Sequence, residues 1–301
     1  ELSIAVAAWR QALDLYRDVQ DVSGEATTLS SLALLIAPAN CEEAHELAKR
    51  SVELTEASRL SLRDMEERSA FVDSATVPYQ VAVFSSIRCG DPFRAFEYSE
   101  RARARSFLDM LAGQVPAPTA APDQVARAQL VTLDAELQSL LTNMSVPRRE
   151  PRSGALAELT SLAGRRRKVV ENVAARSPEQ ASMMGVSCGS VAEIQKRVPN
   201  DAAIVAFHLS PIGALMFVVT RERCRAISLG VSEAVLQTKT SELRRALASQ
   251  HPSARALLRE LYDMLFKVVR AATWLDGQRL LVVPHGCLHY VPFGALLAPD
   301  G

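Results

Sequence analysis

The sequence predicts a fold of class α plus α/β, with helical repeats in the N-terminal part and an α/β domain in the C-terminal part. Three observations predict this. Apolar residues recur at helical spacing over residues 1–113, a Pro/Ala-rich stretch interrupts the pattern at Gly113–Pro122, and short apolar runs typical of strands begin after Ser190. We therefore divide the chain into repeats over 1–113, a helical linker over 114–189 and an α/β segment over 190–301.

The first three helices are predicted from apolar spacing and from the breaks between them. Four residues of the first helix step by three and four, which places them on one face: Val6, Trp9, Leu13 and Tyr16. A break is predicted at Val22–Glu25, followed by a helix over Ala26–Ile36. Asn40 is predicted to cap a third helix, about Glu42–Leu60, because Glu43 stands three positions after it.

Two further helices complete the N-terminal region and indicate a degenerate repeat. The fourth is predicted to end at Cys89–Pro92, and the fifth runs from Phe93 to Leu111. Similar helices open at Ala12-Leu13 and Ala44-His45, about 32 residues apart, which is close to the ~34-residue period of tetratricopeptide repeats, or TPRs. Because one hairpin cannot bury its apolar face alone, we predict TPR-like hairpins stacked in a solenoid that binds a protein or peptide partner.

Two antiparallel helices are predicted between residues 114 and 189. Gly113–Pro122 is expected to have no regular structure. A heptad-like seam then indicates the first helix: Leu130, Leu133, Leu137 and Leu140. Pro147–Gly154 interrupts, and the second helix is predicted over about Ala155–Ala175.

Two basic clusters are interpreted as solvated helix faces. On the fifth helix, Glu97–Arg101 and Glu100–Arg103 have ordinary ion-pair spacing. On the second linker helix, the run Arg165–Lys168 is diluted by nearby glutamates and has no interleaved aromatic residues. The net charge is zero and the first 113 residues are acidic, so we predict no nucleic-acid partner.

The segment from Ser190 predicts strands and helices of an α/β domain. A short helix capped by Ser190 and ended by Pro199 precedes three strands, the first two joined by a hairpin turn at Pro211–Gly213. Two helices follow, about Ser232–Ser249 and Ser253–Trp274. The apolar run Leu280–Val283 is then predicted to be a buried central strand, in a sheet that is incomplete where the chain ends.

Composition and cysteine usage further limit the classes of protein to which the chain can belong. The five cysteines (Cys41, Cys89, Cys188, Cys224 and Cys287) are scattered without C-x-x-C spacing, which favours reduced thiols in a cytoplasmic protein. No apolar run approaches the ~20 residues of a membrane span, so no membrane association is predicted. The N-terminus lacks the order of a signal peptide and resembles a cut inside a longer protein. Without a phosphate-binding Gly-rich loop or H-E-x-x-H, we assign no cofactor and no metal.

A candidate active site lies at His285, Cys287 and His289, which fall within five residues. If this segment is extended, the side chains of Cys287 and His289 share a face. Catalytic dyads, however, bring residues together from separate elements. We therefore interpret Cys287 as a small hydrophobic residue beside the core and His208 as a structural histidine, and we assign no catalytic residue.

The C-terminal segment resembles the first half of a CHAT domain, a caspase-like peptidase module often fused behind TPRs in bacteria. The resemblance rests on SVAEIQKRVPNDAAIVAFHLS, on ALMFVVTRE and above all on LLVVPHGCLHYVPFGALL. The residues that carry this last motif are Pro284, Gly286, Leu288, Pro292, Phe293 and Leu296. EYSERARARSFLDML is similar to the last repeat helix before the linker in such proteins.

The resemblance implies a caspase-like fold with a Cys/His dyad and no cofactor. The dyad His precedes a glycine at the end of a later strand, and the dyad Cys ends the strand after that, so both would lie beyond Gly301. His285-Gly286 and Cys41-Glu42 only mimic these two motifs. We expect the N-terminal portion of a bacterial TPR–CHAT protein whose repeats regulate a cysteine endopeptidase. The alternatives are a non-enzymatic TPR adaptor or scaffold, and a pseudo-peptidase.

Overall fold

The computed structural model describes residues 2–60, 65–111, 121–145, 154–176, 191–270 and 277–298. The chain divides into two compact units, residues 1–188 and 189–301. The first unit is helical, and the second combines helices with one mixed four-stranded sheet. This confirms the general prediction of α plus α/β.

Seven helices are described in the first unit. Their bounds are α1 Leu2–Asp18, α2 Val22–Ile36, α3 Cys41–Leu60, α4 Met65–Arg88, α5 Pro92–Leu111, α6 Ala121–Ser145 and α7 Ala155–Ala174. The predicted loop Gly113–Pro122 lies largely outside the described residues, but its last two residues belong to α6. This part of the prediction is wrong, because proline needs no amide hydrogen in the first turn of a helix.

The break between α1 and α2 comes earlier than predicted. Val22–Glu25 does not interrupt a helix but forms the first turn of α2. The Asp21 carboxylate accepts hydrogen bonds from the amides of Ser23 and Gly24 at 3.1 and 3.0 Å. This N-cap satisfies two amides that have no partner within the helix, so the Ser-Gly pair is tolerated there.

The predicted cap of α3 is confirmed. The Glu43 amide donates to Asn40 Oδ1 at 3.2 Å, and Asn40 Nδ2 donates to Glu43 Oε2 at 3.0 Å. The two residues thus bind each other across the first turn, as the spacing predicts. The helix begins at Cys41, one residue before the predicted start.

The helices of the first unit pack as neighbouring antiparallel hairpins. Helix α2 packs against both α3 and α4, and α4 packs against both α3 and α5. One core cluster joins leucines of α1–α3 to those of the α6–α7 hairpin: Leu13, Leu29, Leu32, Leu54, Leu133, Leu137, Leu140, Leu159 and Leu162. Leu133, Leu137 and Leu140 of the seam predicted on α6 are therefore buried against α1–α3 as well as against α7, and Leu130 packs against α7.

The second unit is built on a sheet with strand order β3-β2-β1-β4. Its elements are α8 Val191–Arg197, β1 Ala202–Ser210, β2 Gly213–Val219, β3 Cys224–Ser228, α9 Glu233–Ala248, α10 Ser253–Arg270 and β4 Arg279–Val283. The hairpin between β1 and β2 is confirmed, and Pro211–Ile212 form its loop. Strand β4 returns parallel to β1 after the two helices. The predicted cap Ser190 lies outside the described residues.

One face of this sheet packs against α9 and α10. The shared core includes Phe207, Met216, Leu236, Leu243, Leu261 and Leu265, each at most 1% exposed. The centre of the sheet is β1 and β2. The prediction that Leu280–Val283 forms a buried central strand is wrong for the described sheet, because β4 lies at its edge and the side chains of Leu280 and Leu281 are 38% and 39% exposed.

Within the described ranges, no helix combines the length and the apolar character needed to cross a membrane.

Candidate functional site

The segment that follows β4 forms two short 3-10 turns, Gly286–Tyr290 and Phe293–Ala295. Pro284 follows directly after β4 and has no amide to continue the ladder. Gly286 adopts a positive φ of 55°, a region that favours glycine over residues with a Cβ. The first two motif residues therefore end the strand and turn the chain.

The remaining motif residues fix this segment to the core of the second unit. Leu288 is fully buried. The Phe293 ring stacks on Phe207 of β1, with centroids 5.7 Å apart, and meets the edge of Phe266 of α10 at 6.3 Å. Leu296 packs against the same cluster, and Pro292 precedes the second turn. These residues have structural roles in the described chain.

His285 contacts β1. Its Nδ1 accepts a hydrogen bond from the backbone amide of Leu209 at 3.2 Å. Its ring also stacks on His208, which is only 3% exposed in β1. The hydrogen bond and the ring stack together fix the His285 side chain against β1, which indicates a structural role.

Cys287 and His289 do not share a face. Their side chains would share a face only if the segment were extended, but it forms a 3-10 helix. Residues two apart in such a helix point in different directions. His289 is exposed, whereas Cys287 is half-buried. Burial raises the pKa of the Cys287 thiol, the nearby Thr240 hydroxyl acts in the opposite direction, and Glu233 adds to the increase. A thiol kept protonated is a poor nucleophile.

Among the described residues, no group of three or more His, Cys, Asp and Glu side chains is arranged to hold a metal ion.

The first unit contains a polar cluster that the sequence does not reveal. The Arg101 guanidinium of α5 donates to Glu56 Oε1 of α3 at 3.0 Å and lies over the rings of Tyr79 and Tyr98, 5.9 and 5.7 Å from their centroids. The Tyr79 hydroxyl donates to the same Glu56 oxygen. This cluster connects α3, α4 and α5.

The prediction of a solvated face is wrong for Arg101. Its side chain is 31% exposed, and it pairs with Glu56 of another helix. Burial disfavours its charged form, but Glu56 and the two tyrosines outweigh that cost and raise its pKa. The second predicted pair is present, since Arg103 lies 2.8 Å from Glu100.

A cleft of about 260 Å³ opens beside this cluster, between α3 and α5. It is lined by His45, Glu46 and Lys49 of α3 and by Arg94, Glu97, Tyr98 and Arg101 of α5. His45 Nδ1 is buried without a hydrogen-bond partner in the described structure. Burial and, next, the positive charge of Arg94 lower the pKa of His45. The cleft thus offers charges of both signs and one buried tyrosine ring, a surface suited to a polar peptide segment.

The basic run on α7 is paired with carboxylates. Arg165 lies 3.6 Å from Glu136, Arg166 lies 2.7 Å from Asp134, and Arg167 lies 3.3 Å from Glu53. These partners come from α6 and α3, and Arg167 also lies 3.7 Å from Glu171, one of the glutamates of the same helix that the sequence suggested. These arginines hold helices of the first unit together.

Comparison with protein-family models, with curated proteins and with solved structures finds no match to this chain. The α3–α5 cleft is therefore the candidate binding site on its geometry alone. Sequence reasoning missed it because its walls come from two helices that are distant in the sequence, α3 and α5. One signal for the cluster was available in the sequence. Tyr98 stands three residues before Arg101, and this spacing places its aromatic ring next to the guanidinium on one helix face.

Proposed function

We propose that this chain is the N-terminal portion of a bacterial TPR–CHAT protein, located in the cytoplasm, in which helical repeats bind a protein partner and regulate a caspase-like cysteine endopeptidase. The observation that carries the binding role is the stacking of α2 on α3 and α4, and of α4 on α5. Stacked hairpins present a continuous surface of several helices, which suits them to protein partners.

The α3–α5 cleft is the proposed binding site. Helices α3 and α5 belong to successive hairpins, so a peptide in the cleft would contact both. Arg94, 49% exposed, and Lys49, 51% exposed, can reach a ligand from opposite walls. Arg94 also lies near the Asp91 carboxylate, and Lys49 lies near the Glu46 carboxylate. A ligand would therefore exchange these exposed surface pairs for new contacts at little cost.

Selection of random peptides on the purified chain tests the binding role. We expect the affinity of a selected peptide, measured by calorimetry, to fall at least about tenfold in Arg94→Ala and Lys49→Ala. Arg10→Ala removes a cation of the first unit that lies outside the cleft and is 58% exposed, and it should leave the affinity unchanged. Binding that is insensitive to both cleft variants would overturn the proposed site.

The peptidase role is supported by the motif resemblance and by the edge position of β4. A caspase-like sheet continues past the strand that corresponds to β4, and the described edge of β4 opposite β1 offers unpaired backbone groups for such strands. The resemblance locates the Cys/His dyad on those later strands. His285 and Cys287, which occupy a structural turn, take no part in the proposed chemistry.

Peptide hydrolysis assays test this role. Purified 1–301 should not hydrolyse a fluorogenic peptide library, and Cys287→Ala should leave that result unchanged. A longer product of the same gene that contains a His-Gly strand end and a following Cys strand should be active, whereas the adaptor or pseudo-peptidase alternatives predict that these residues are absent. Turnover by 1–301 that depends on Cys287 would overturn the proposal.

A further inference from the structure

Two cysteines of the first unit lie side by side although 48 positions separate them. Cys41 opens α3, and Cys89 directly follows α4. Both thiols approach the carbonyl oxygen of Ala37, Cys41 Sγ at 3.3 Å and Cys89 Sγ at 3.9 Å. Cys89 Sγ also lies 3.8 Å from the carbonyl oxygen of Cys41. The folded chain therefore presents a reduced pair of neighbouring thiols.

We propose that Cys41 and Cys89 are a redox modification site at which a hydroperoxide converts the pair to a reversible intramolecular disulfide. This goes beyond the proposed function, because the reaction requires no peptide partner and no peptidase. The proposal rests on three features of the pair: both sulfurs approach the carbonyl oxygen of Ala37, Cys89 Sγ also approaches the backbone of Cys41, and Cys41 is exposed.

The exposure of Cys41 and the protonation of Cys89 determine which thiol reacts first. Burial is the main cause that raises the pKa of Cys89, to about 12, and its hydrogen bond with Cys41 and the charge of that neighbour add to the increase. Cys89 therefore remains a thiol at neutral pH, while Cys41 is the sulfur that solvent and peroxide reach. Cys41 is the residue oxidised first, and Cys89 then converts the product to the disulfide.

The chemistry balances with hydrogen peroxide as the oxidant. The Cys41 thiolate attacks one peroxide oxygen, the O–O bond breaks, and one water leaves as Cys41 becomes a sulfenic acid. The Cys89 sulfur then attacks the electrophilic Cys41 Sγ and gives up its proton to the departing hydroxyl, so that the S–O bond breaks and the second water leaves. In total two electrons and two protons pass from the thiols to the peroxide, and a dithiol reductant reverses the change by exchange.

The disulfide would connect the start of α3 to the end of α4. These antiparallel helices pack against each other, so the cross-link restricts the unfolded chain over a long loop while it fixes a contact that already exists. We expect oxidation to raise the Tm of the first unit by roughly 5–10 °C, and dithiothreitol to restore the lower value.

Peptide mapping of the full chain tests the proposal. Purified 1–301 is treated with a small excess of hydrogen peroxide, alkylated, and digested with trypsin without reduction. The expected product joins the tryptic peptide 18–49 to 89–94 and is lighter than the sum of the two by two hydrogen atoms. Cys41→Ser and Cys89→Ser each abolish this product and the Tm increase. Cys287→Ser, which alters a half-buried thiol of the other unit, leaves both intact.

Three results would overturn the proposal. One is a disulfide that joins two copies of the chain through Cys41. Another is a stable sulfenic or sulfinic acid at Cys41 with Cys89 still reduced. The third is a linkage to a different cysteine. Because the assay contains no partner peptide, a failure here leaves the cleft proposal untouched, and loss of peptide binding in the cleft variants leaves the disulfide untouched.

Discussion

The rings of His208 and His285 stack, with centroids 5.6 Å apart and 24° between their planes. The backbone pairing of β1 with β4 ends at Ala206 and Val283, so this ring contact extends the association of the two strands beyond their ladder. The hydrogen bond from the Leu209 amide to His285 Nδ1 strengthens the same connection. The turn that follows β4 is thus fixed to the central strand β1 by the side chain of His285.

His285→Ala should destabilise the second unit. The substitution removes the ring stack and leaves the partly buried Leu209 amide without its acceptor, which costs about 1–3 kcal/mol of the free energy of unfolding. Chemical denaturation followed by circular dichroism measures this loss.

His289→Ala is the matched control for His285→Ala. His289 is four residues away in the same turn but exposed, so its removal should change the free energy of unfolding by less than about 0.5 kcal/mol. Equal losses in the two variants would contradict the structural role of His285.

Glu56→Gln should destabilise the first unit more than loss of a surface ion pair does. The neutral amide leaves Arg101 between two tyrosine rings without its carboxylate partner and weakens the hydrogen bond from the Tyr79 hydroxyl. Because the pair is only partly screened by solvent, we expect a loss of about 1–3 kcal/mol in the free energy of unfolding.

Glu43→Gln provides the comparison for Glu56→Gln. Glu43 forms an ion pair of similar length with Arg10, 2.8 Å, but both side chains are well exposed, at 38% and 58%. Exposed pairs contribute about 0–1 kcal/mol, and the glutamine amide keeps the ability to accept from Asn40. A loss in Glu43→Gln as large as that in Glu56→Gln would argue against a special role for the Arg101 cluster.

Local signals in the sequence predicted much of the helical unit and the positions of the strands along the chain. The Asn40–Glu43 cap and the leucine seam of α6 depend on spacing within one helix, and both are found as expected. The Asp21 cap was missed because a Ser-Gly pair suggests a break unless the preceding carboxylate is seen to satisfy its amides.

The candidate functional clusters depend on contacts that spacing along the chain cannot reveal. Glu56 meets Arg101 across two helices, and Cys41 meets Cys89 only because α3 and α4 are antiparallel neighbours. The error at Leu280 and Leu281 has a different cause. An apolar run indicates that both faces of a strand favour burial, but it carries no information about which strands stand beside it.

The pKa of His45 predicts a loss of stability in acid. Burial and the charge of Arg94 lower this pKa in the folded chain, while the nearby Asp91 and Glu46 oppose the change. The unfolded chain therefore binds a proton at His45, near its ordinary pKa of about 6.5, before the folded chain does. The contribution of His45 is fully present above that pH and is lost as the pH falls through the folded pKa.

His45→Gln should therefore flatten the decline of the free energy of unfolding between about pH 7 and pH 5. Arg94→Gln removes a charge that lowers the pKa of His45, so it should move the NMR titration of the His45 ring to higher pH. A wild-type titration midpoint above that of the Arg94→Gln variant would contradict the assigned cause.

The edge of β4 should promote self-association of the chain. Leu280 and Leu281 are exposed on a strand whose second edge is unpaired within the described sheet, and such an edge can pair with another chain. Sedimentation velocity of 1–301, and of the isolated segment 191–301, should show association that increases with concentration.

Leu281→Lys places a charge on the edge of β4 and should suppress this association. Leu247→Lys makes the same change at a leucine that is 43% exposed on α9, away from the sheet, and should not. Monomers at all concentrations, or equal effects of the two lysines, would show that the edge of β4 is not the associating surface.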